Sequence, residues 1–474
     1  MNRVQTLQRG RKAQNGSKKC SISTILKIFL FTLLSIYTYV VCFYIMKPTT
    51  SNKSHSSAAS TATTSSGEPI NVMKRDKNLP RILALIFPQF HQDPLNDNLW
   101  GEGFTDWNNL RNAPQKNKLG YDIPRPTELG YYDLTQKEPR QKQGELAKQY
   151  GIDGFIYHHY WFYDSNHPGP TLAAPLEAML KDGHPDVPFA LDWVALKWDK
   201  SWHGKVRDGF VFTEPNVLQK QYFPTDELDP AITEHYNWLR RFFHHKNYIK
   251  VHDQPLLMLY AKKPGSFPVL NRLRQLAKED GFPGLYIVVG FHRPHGHLQP
   301  DIDLQKFQIP KRKRVAWSGF NRTVAYPAPS EFNMKTSLRI PDWCTKDQLE
   351  KDKNHPIEHI DEIPGVITSF DNTPRRNNED AFLWSGEEPD KIVDRFRSSL
   401  FAATYYETCC FQNLNKDAVQ GQVAEDDDRF IIINAFNEWA EGMAMEPSDV
   451  FGRSFLEVVK EIKLDLSNGG CDRK

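Results

Sequence analysis

Phe430 to Pro447 reads FIIINAFNEWAEGMAMEP. Its first residues form an apolar, β-branched run of strand length, and Asn434, Asn437, Glu438, Glu441 and Glu446 follow at once. Carboxylates are costly beside an apolar strand end unless they bind or react with something, so the stretch reads as a buried strand that delivers a site.

Outward from it, short apolar runs alternate with segments of helical spacing. Strands are expected at Arg81–Phe87, Phe155–Trp161, Phe189–Trp193, Pro255–Tyr260, Leu285–Val289, Val366–Phe370 and Phe430–Ala435, with an eighth between Val315 and Pro329. Helices are expected at Pro139–Tyr150, Pro175–Lys181, Ala231–His244, Val269–Glu279, Lys391–Tyr405 and Phe455–Leu464. This alternation predicts parallel βα units and an α/β fold, a single (β/α)8 TIM-type barrel with loop insertions. An open doubly wound sheet is the alternative, but no Gly-rich phosphate loop follows any of these strands. Polar residues gather where the strands end. They are His91 after the first strand, His158, His159 and Tyr160 with Trp161 in the second, Asp192 and Trp193 in the third, Asp371, Asn372 and Arg375 after the seventh, and the opening cluster after the eighth. Barrel enzymes build their active sites on that face.

At a spacing of three, one turn places Glu438 and Glu441 on the same side, at about the 5 Å separation of a retaining glycosidase pair. Such closeness drives two carboxyl pKa values apart and leaves one acid and one base. The alternative is a structural role, with the carboxylates capping the next segment or pairing with Arg375 or Arg453. Trp100, Trp107, Tyr131, Tyr132, Tyr157, Tyr160, Trp161, Trp193, Trp198 and Trp439 lie in strand ends and loops, where rings could stack on sugars or simply fill the barrel mouth. His292, His295 and His297 lack a carboxylate spaced to complete a metal site. Asp301-Ile302-Asp303 and Asp426-Asp427-Asp428 match the DxD pattern of nucleotide-sugar transferases, which also arises by chance in solvated loops. No metal and no cofactor are expected.

The 474-residue chain carries 60 basic and 58 acidic side chains, so no global field argues for nucleic acid. The charge is uneven at the start, where seven basic and no acidic residues precede Phe29, and Ile28–Met46 is free of charge and long enough to cross a bilayer. The basic flank should remain cytoplasmic, giving a single-pass type II signal anchor; a cleaved signal peptide is the competing reading. The expected organisation is a basic tail (1–27), an anchor (28–46), a disordered Ser/Thr-rich stem (47–78), a catalytic domain (79–466) and a short tail (467–474). A Golgi or ER membrane location with a lumenal domain follows, and sequons at Asn52 and Asn321 fit it. Beyond Cys20 and Cys42, the cysteines Cys344, Cys409, Cys410 and Cys471 permit one or two disulfides of undetermined pairing.

Several motifs in order, FPQFH (Phe87 to His91), NLWGEGFTDW (Asn98 to Trp107), ELGYYDL (Glu128 to Leu134), YGIDGFIYHHYWF (Tyr150 to Phe162), SFDNTPRR (Ser369 to Arg376) and NAFNEWAEG with the later EP (Asn434 to Gly442, Glu446, Pro447), give a resemblance over about Arg81 to Leu464. The chain resembles the WbsX-like family of polysaccharide-biosynthesis proteins, itself similar to the family-99 endo-α-mannosidases and mannanases. The resemblance implies a (β/α)8 barrel and a glycan-active site. By that resemblance Glu438 matches a base that removes the sugar 2-OH proton to form a 1,2-anhydro intermediate, and Glu441 matches a general acid and then base, with retention and without metal or nucleotide. His91, Trp107, His158, His159, Tyr160, Trp161, Asp192, Trp193, Asp371, Asn372, Arg375, Asn434, Asn437, Trp439 and Glu446 are the candidate substrate-binding residues. One departure stands out: where relatives read WANE after the third strand, this chain has Trp193-Val194-Ala195-Leu196, then Lys197 and Trp198, and Asp192 or Asp199 is left to compensate.

The expected function is a membrane-anchored, lumenal enzyme acting on an α-linked glycosidic bond of an oligosaccharide or polysaccharide with retention, by hydrolysis or transglycosylation. A nucleotide-sugar-dependent glycosyltransferase and a non-catalytic glycan-binding barrel are the alternatives.

Overall fold

The structure, a computed structural model, describes residues 72–164, 166–199, 217–261, 264–291, 315–318, 363–376, 388–410 and 429–469, with a few isolated positions besides. Its main strands are β1 (Arg81–Ile86), β2 (Gly154–Asp164), β3 (Phe189–Trp193), β4 (Gln254–Ala261), β5 (Tyr286–Phe291), β6 (Val315–Ser318), β7 (Ile363–Ile367) and β8 (Phe430–Asn434). They pair in the order β5-β4-β3-β2-β1-β8-β7-β6, and every neighbouring pair is parallel. The first strand lies beside the last, with Ile431 opposite Ile82 and Ile433 opposite Ala84. No ladder joins β5 to β6 among the described residues.

The helices are α1 (Pro94–Trp100), α2 (Asp106–Asn112), α3 (Lys137–Tyr150), α4 (Ala174–Asp182), α5 (Pro230–Phe243), α6 (Phe267–Glu279), α7 (Pro389–Tyr405) and α8 (Ser454–Ser467). Because parallel strands are covered on both faces, FALDW in β3 and FIIIN in β8 are buried at every position. Amphipathic helices supply that cover. Leu239, Phe242 and Phe243 of α5 and Leu270, Leu273 and Ala277 of α6 enter the same core as the strands.

The expected elements are present with shifted ends. β7 begins at Ile363 and stops at Ile367, not at Val366–Phe370, with Pro364 and Gly365 in the ladder opposite Ala316 and Trp317. β2 runs on past Trp161 because Tyr160–Asp164 turn back against His167–Thr171. Helices α1 and α2 are not among the elements expected from the sequence. Asp93 caps α1 through its Oδ1, which accepts from Leu95 N at 2.9 Å, with Pro94 in the first turn.

The folded unit also begins earlier than Leu79. Met73 N donates to Lys148 O at 2.9 Å, and Gly151, at φ +81° after α3, leaves room for the Met73 side chain that a Cβ would meet at 2.6 Å. Within the segment read as stem, Ala62–Thr63 and Pro69–Ile70 form a short antiparallel pair. At the N-terminal ends of the strands, Lys463 of α8 donates to Asp153 at 2.7 Å and to Gly151 O at 2.8 Å. Among the described residues no helix is long and apolar enough to cross a membrane. Ile28–Met46, both sequons, the His292–His297 group and both DxD matches lie outside the described residues.

Cys471, in the expected tail, is bonded to Cys409 in the π-helical turn after α7, closing a separation of 62 residues. Cross-links of such loops stabilise by about 2–4 kcal/mol. Cys409→Ser or reduction is therefore expected to lower the melting temperature by several degrees, and an unchanged melt under reductant would remove this staple from the account.

Candidate functional site

The turn after β8 is held from behind. Asn437 clamps the end of β1, its Oδ1 accepting from Phe87 N at 2.8 Å and its Nδ2 donating to Phe87 O at 3.0 Å. Asn437–Glu438 then pair with Met443–Ala444, and Trp439–Glu441 make one 3-10 turn between them. Gly442 closes it at φ +68°, where a Cβ would press on Asp371 N at 3.0 Å. The loop after β7 interlocks with this turn, since Asp371 N donates to Glu441 O at 2.8 Å.

This geometry turns both glutamates toward one guanidinium. Arg375 donates from Nη2 to Glu438 Oε1 at 2.6 Å and from Nη1 to Glu441 Oε1 at 2.7 Å. It also holds Asp106 of α2, through Nη2 at 2.9 Å and Nε at 3.3 Å, and its Cζ lies 5.1 Å from the centre of the Phe87 ring. The carboxylates are thus separated by the width of one guanidinium. Arg453 pairs with Glu128 instead.

Three carboxylates surround one cation in a buried place. Burial, together with the Glu441 and Asp106 charges, raises Glu438 well above the usual carboxylate range although Arg375 opposes the shift. Burial works against the charge of Arg375, yet Asp106, Glu438 and Glu441 together outweigh it and raise its pKa. Glu438 is 5% exposed, whereas the Glu441 side chain is 28% exposed, so Glu441 is the member of the pair open to an incoming molecule.

Glu446 sits behind this turn with its oxygens occupied. It accepts from Trp439 Nε1 at 2.7 Å, Tyr132 Oη at 2.9 Å and Gln143 Nε2 at 2.7 Å. It therefore braces the indole between the two site glutamates and is not free to meet a ligand. Burial pushes its carboxyl up to about 7 despite the three donors. A carboxyl raised on folding contributes stability that is full below its unfolded pKa and is lost as pH rises through the folded value. Wild-type stability is expected to fall between pH 4.5 and 7 by up to about 3 kcal/mol from this group. Glu446→Gln, at a cost of about 1–3 kcal/mol for the mismatched donors, should flatten that slope in melts across this range. An unchanged slope would contradict the assignment.

Period-two alternation divides the second-strand candidates. His158 and Tyr160 face the site side: His158 Nδ1 meets Asp192 Oδ2 at 2.8 Å, and the charges of Glu438 and Arg375 both act on the buried Tyr160 phenol. His159 and Trp161 face α5. His159 Nε2 meets His235 Nε2 at 2.9 Å and stacks on Trp238, while Trp161 stacks on His235. Trp193 goes with them, packed against His235 and Phe223 and donating to Trp161 O at 3.3 Å. These three are separated from the carboxylates.

Trp107 and Trp439 are near the site but buried. Trp107 packs on Phe90 at 4.2 Å and donates to Tyr132 O at 2.6 Å, so its ring is committed to the wall and not open for stacking. His91 is buried, with Nδ1 2.8 Å from Pro88 O, and burial lowers its pKa. Asp371 accepts from Thr373 N at 2.9 Å and from Asn117 Nδ2 at 3.0 Å, which shapes the loop that carries Arg375. Asn372 O accepts from Arg375 N at 3.0 Å, and Asn434 O from Thr368 N at 3.2 Å. Asp106 and Tyr260 also belong to the candidate site, Asp106 through Arg375 and Tyr260 beside His158, and neither stands out in the sequence reading. Tyr260 ends β4, where the strand-end rule used for the other strands would have found it, and Asp106 lies in the quoted FTDW stretch. Among the described residues no group of three or more His, Cys, Asp and Glu side chains is placed to hold a metal ion.

The family described as Glycosyltransferase WbsX matches residues 82–459. Two strains of Xanthomonas campestris pv. campestris have an "Uncharacterized protein WxcX" that is 29% identical over 399 residues, covering 80% of this chain and 49% of the relative. The chain thus spans about half the length of the curated relatives it matches. Among solved structures, a "Glycoside hydrolase-like protein" is similar at a TM-score of 0.44 and 16% identity, over 84% of this chain and 97% of the other. The GH99 endo-α-mannosidase from Bacteroides thetaiotaomicron is similar at 0.39 and 15% identity, over 84% and 99%. Likenesses of this size carry no argument about the reaction.

Proposed function

The chain belongs to the WbsX glycosyltransferase family and is a carbohydrate-active enzyme, and from that premise we propose that it acts on an α-linked glycosidic bond with net retention through Glu438 and Glu441. The observation that carries the reading is the shared grip of Arg375 on both carboxylates. Glu438, buried and raised above the usual carboxylate range, is a strong base once ionised, and Glu441 beside it is open to the incoming molecule with which protons are exchanged. In the scheme implied by the resemblance, Glu438 takes the proton of the sugar 2-OH as its oxygen attacks the anomeric carbon, and Glu441 protonates the leaving oxygen. Glu441 then takes the proton of the incoming hydroxyl, from water or from a second sugar, as the 1,2-anhydro ring opens and Glu438 returns its proton. Two inversions give retention.

The strand order, with β1 beside β8, supports a closed (β/α)8 barrel with the site at its C-terminal mouth. The basic start and the apolar Ile28–Met46 run support a single-pass type II anchor that holds the domain in the Golgi or ER lumen. The test is digestion of a pooled α-linked glycan library with and without added sugar nucleotides, with the first-formed anomer read by proton NMR. Products with the substrate's anomeric configuration and no nucleotide requirement are expected. An inverted first product, or an absolute requirement for a sugar nucleotide, would overturn the scheme.

A further inference from the structure

His158 stands on the site side of β2, and its surroundings leave it little freedom. Nδ1 is 2.8 Å from Asp192 Oδ2, and the Asp192 side chain is wholly buried with Oδ1 unpartnered among the described residues, so among these the imidazole is the contact that balances this carboxylate. The rings of Phe87 and Tyr260 meet the imidazole edge-on, at 6.2 Å and 81° and at 5.4 Å and 90°, and fix its plane. The same Phe87 ring carries Arg375 on its face, so His158 is one aromatic side chain away from the guanidinium that holds Glu438 and Glu441. Nε2 makes no hydrogen bond among the described residues, and the His158 side chain is 9% exposed.

We propose that His158 Nε2 is a substrate-contacting hydrogen-bond acceptor that reads one hydroxyl of the sugar held at the carboxylate pair, with Asp192 the positioning residue that fixes its tautomer. An Nδ1–H bonded to Asp192 leaves a lone pair on Nε2, and a lone pair in a confined mouth selects a hydroxyl over a deoxy or O-substituted position. Carboxylates already crowd this mouth, so the group read is an uncharged sugar hydroxyl and not an acidic sugar. The role rests on the glycan-processing reading above.

The test separates the two. Histidine-selective 15N spectra of the substrate-free protein, with Asp192→Asn as reference, read the His158 tautomer. The same preparations then digest the pooled glycan library. His158→Asn keeps a side-chain N–H toward Asp192 and removes the acceptor, so a merely structural role would leave it active. The expected loss in kcat/KM is roughly 10- to 100-fold. His158→Gly should lose at least as much and recover in part with added imidazole. An Nε2–H tautomer in the wild type overturns the proposal whatever the turnover. Wild-type turnover with His158→Asn undiminished overturns the role of His158 alone. No turnover by the wild type overturns the glycan-processing reading, and this role with it.

Discussion

Glu438→Gln and Glu441→Gln are each expected to lower turnover of any glycan the wild type processes by roughly 10²- to 10⁴-fold, the usual contribution of a positioned acid or base. Neither change should unfold the protein. Each glutamine still offers an oxygen to Arg375, at 2.6 Å from Glu438 or 2.7 Å from Glu441, and Asp106 continues to pair with the guanidinium. Activity lost at retained melting temperature would therefore separate chemistry from structure. The pH dependence carries further information. Burial raises Glu438, so a base at this position gains activity as pH rises through a value above the ordinary carboxylate range, and Glu438→Gln should abolish that limb of the profile.

Arg375→Leu is expected to have the larger structural consequence. It leaves Asp106, Glu438 and Glu441 facing one another without a cation, and breaking a buried ion network from one side costs about 3–5 kcal/mol. The deficit should depend on pH with a definite sign. Without the guanidinium, burial and mutual repulsion disfavour the charged form of this carboxylate cluster in the folded state, so the variant keeps most stability at low pH and loses it as pH rises. Melts at pH 4 and pH 8 should show the gap from wild type widening with pH. A gap of constant size would mean that Arg375 acts by packing on Phe87 and not by charge. Arg375→Lys should lie between, because an ammonium supplies charge without the planar fork that reaches three carboxylates.

Much of this site is visible in FIIINAFNEWAEG, because a β-branched run ending in Asn and Glu leaves few structural alternatives and the spacing of three brings Glu438 and Glu441 together in any tight turn. What the sequence could not settle is direction and distance. His158, His159, Tyr160 and Trp161 are consecutive, and only the side of β2 that faces α5, set by His235 and Trp238, assigns alternate residues away from the site. Glu446 looks like a ligand contact by composition, yet Tyr132 and Gln143, more than 300 residues away, use its oxygens. Asp106 is likewise 269 residues from Arg375. Such pairings exist only once the first and last strands lie side by side, which no local pattern states. The shift of β7 has a local side, since Pro and Gly are weak strand formers and yet Pro364 and Gly365 stand in the ladder.

The central claim is that Glu438 and Glu441, joined by Arg375, carry out chemistry on a glycan. It is tested most directly by mass-spectrometric analysis of an α-linked glycan library incubated with wild type and, in parallel, with correctly folded Glu441→Gln. The account predicts new cleaved or transferred products from the wild type and their near-disappearance with the variant. Equal product formation by both proteins would contradict it, and so would a wild type that binds glycans and converts none.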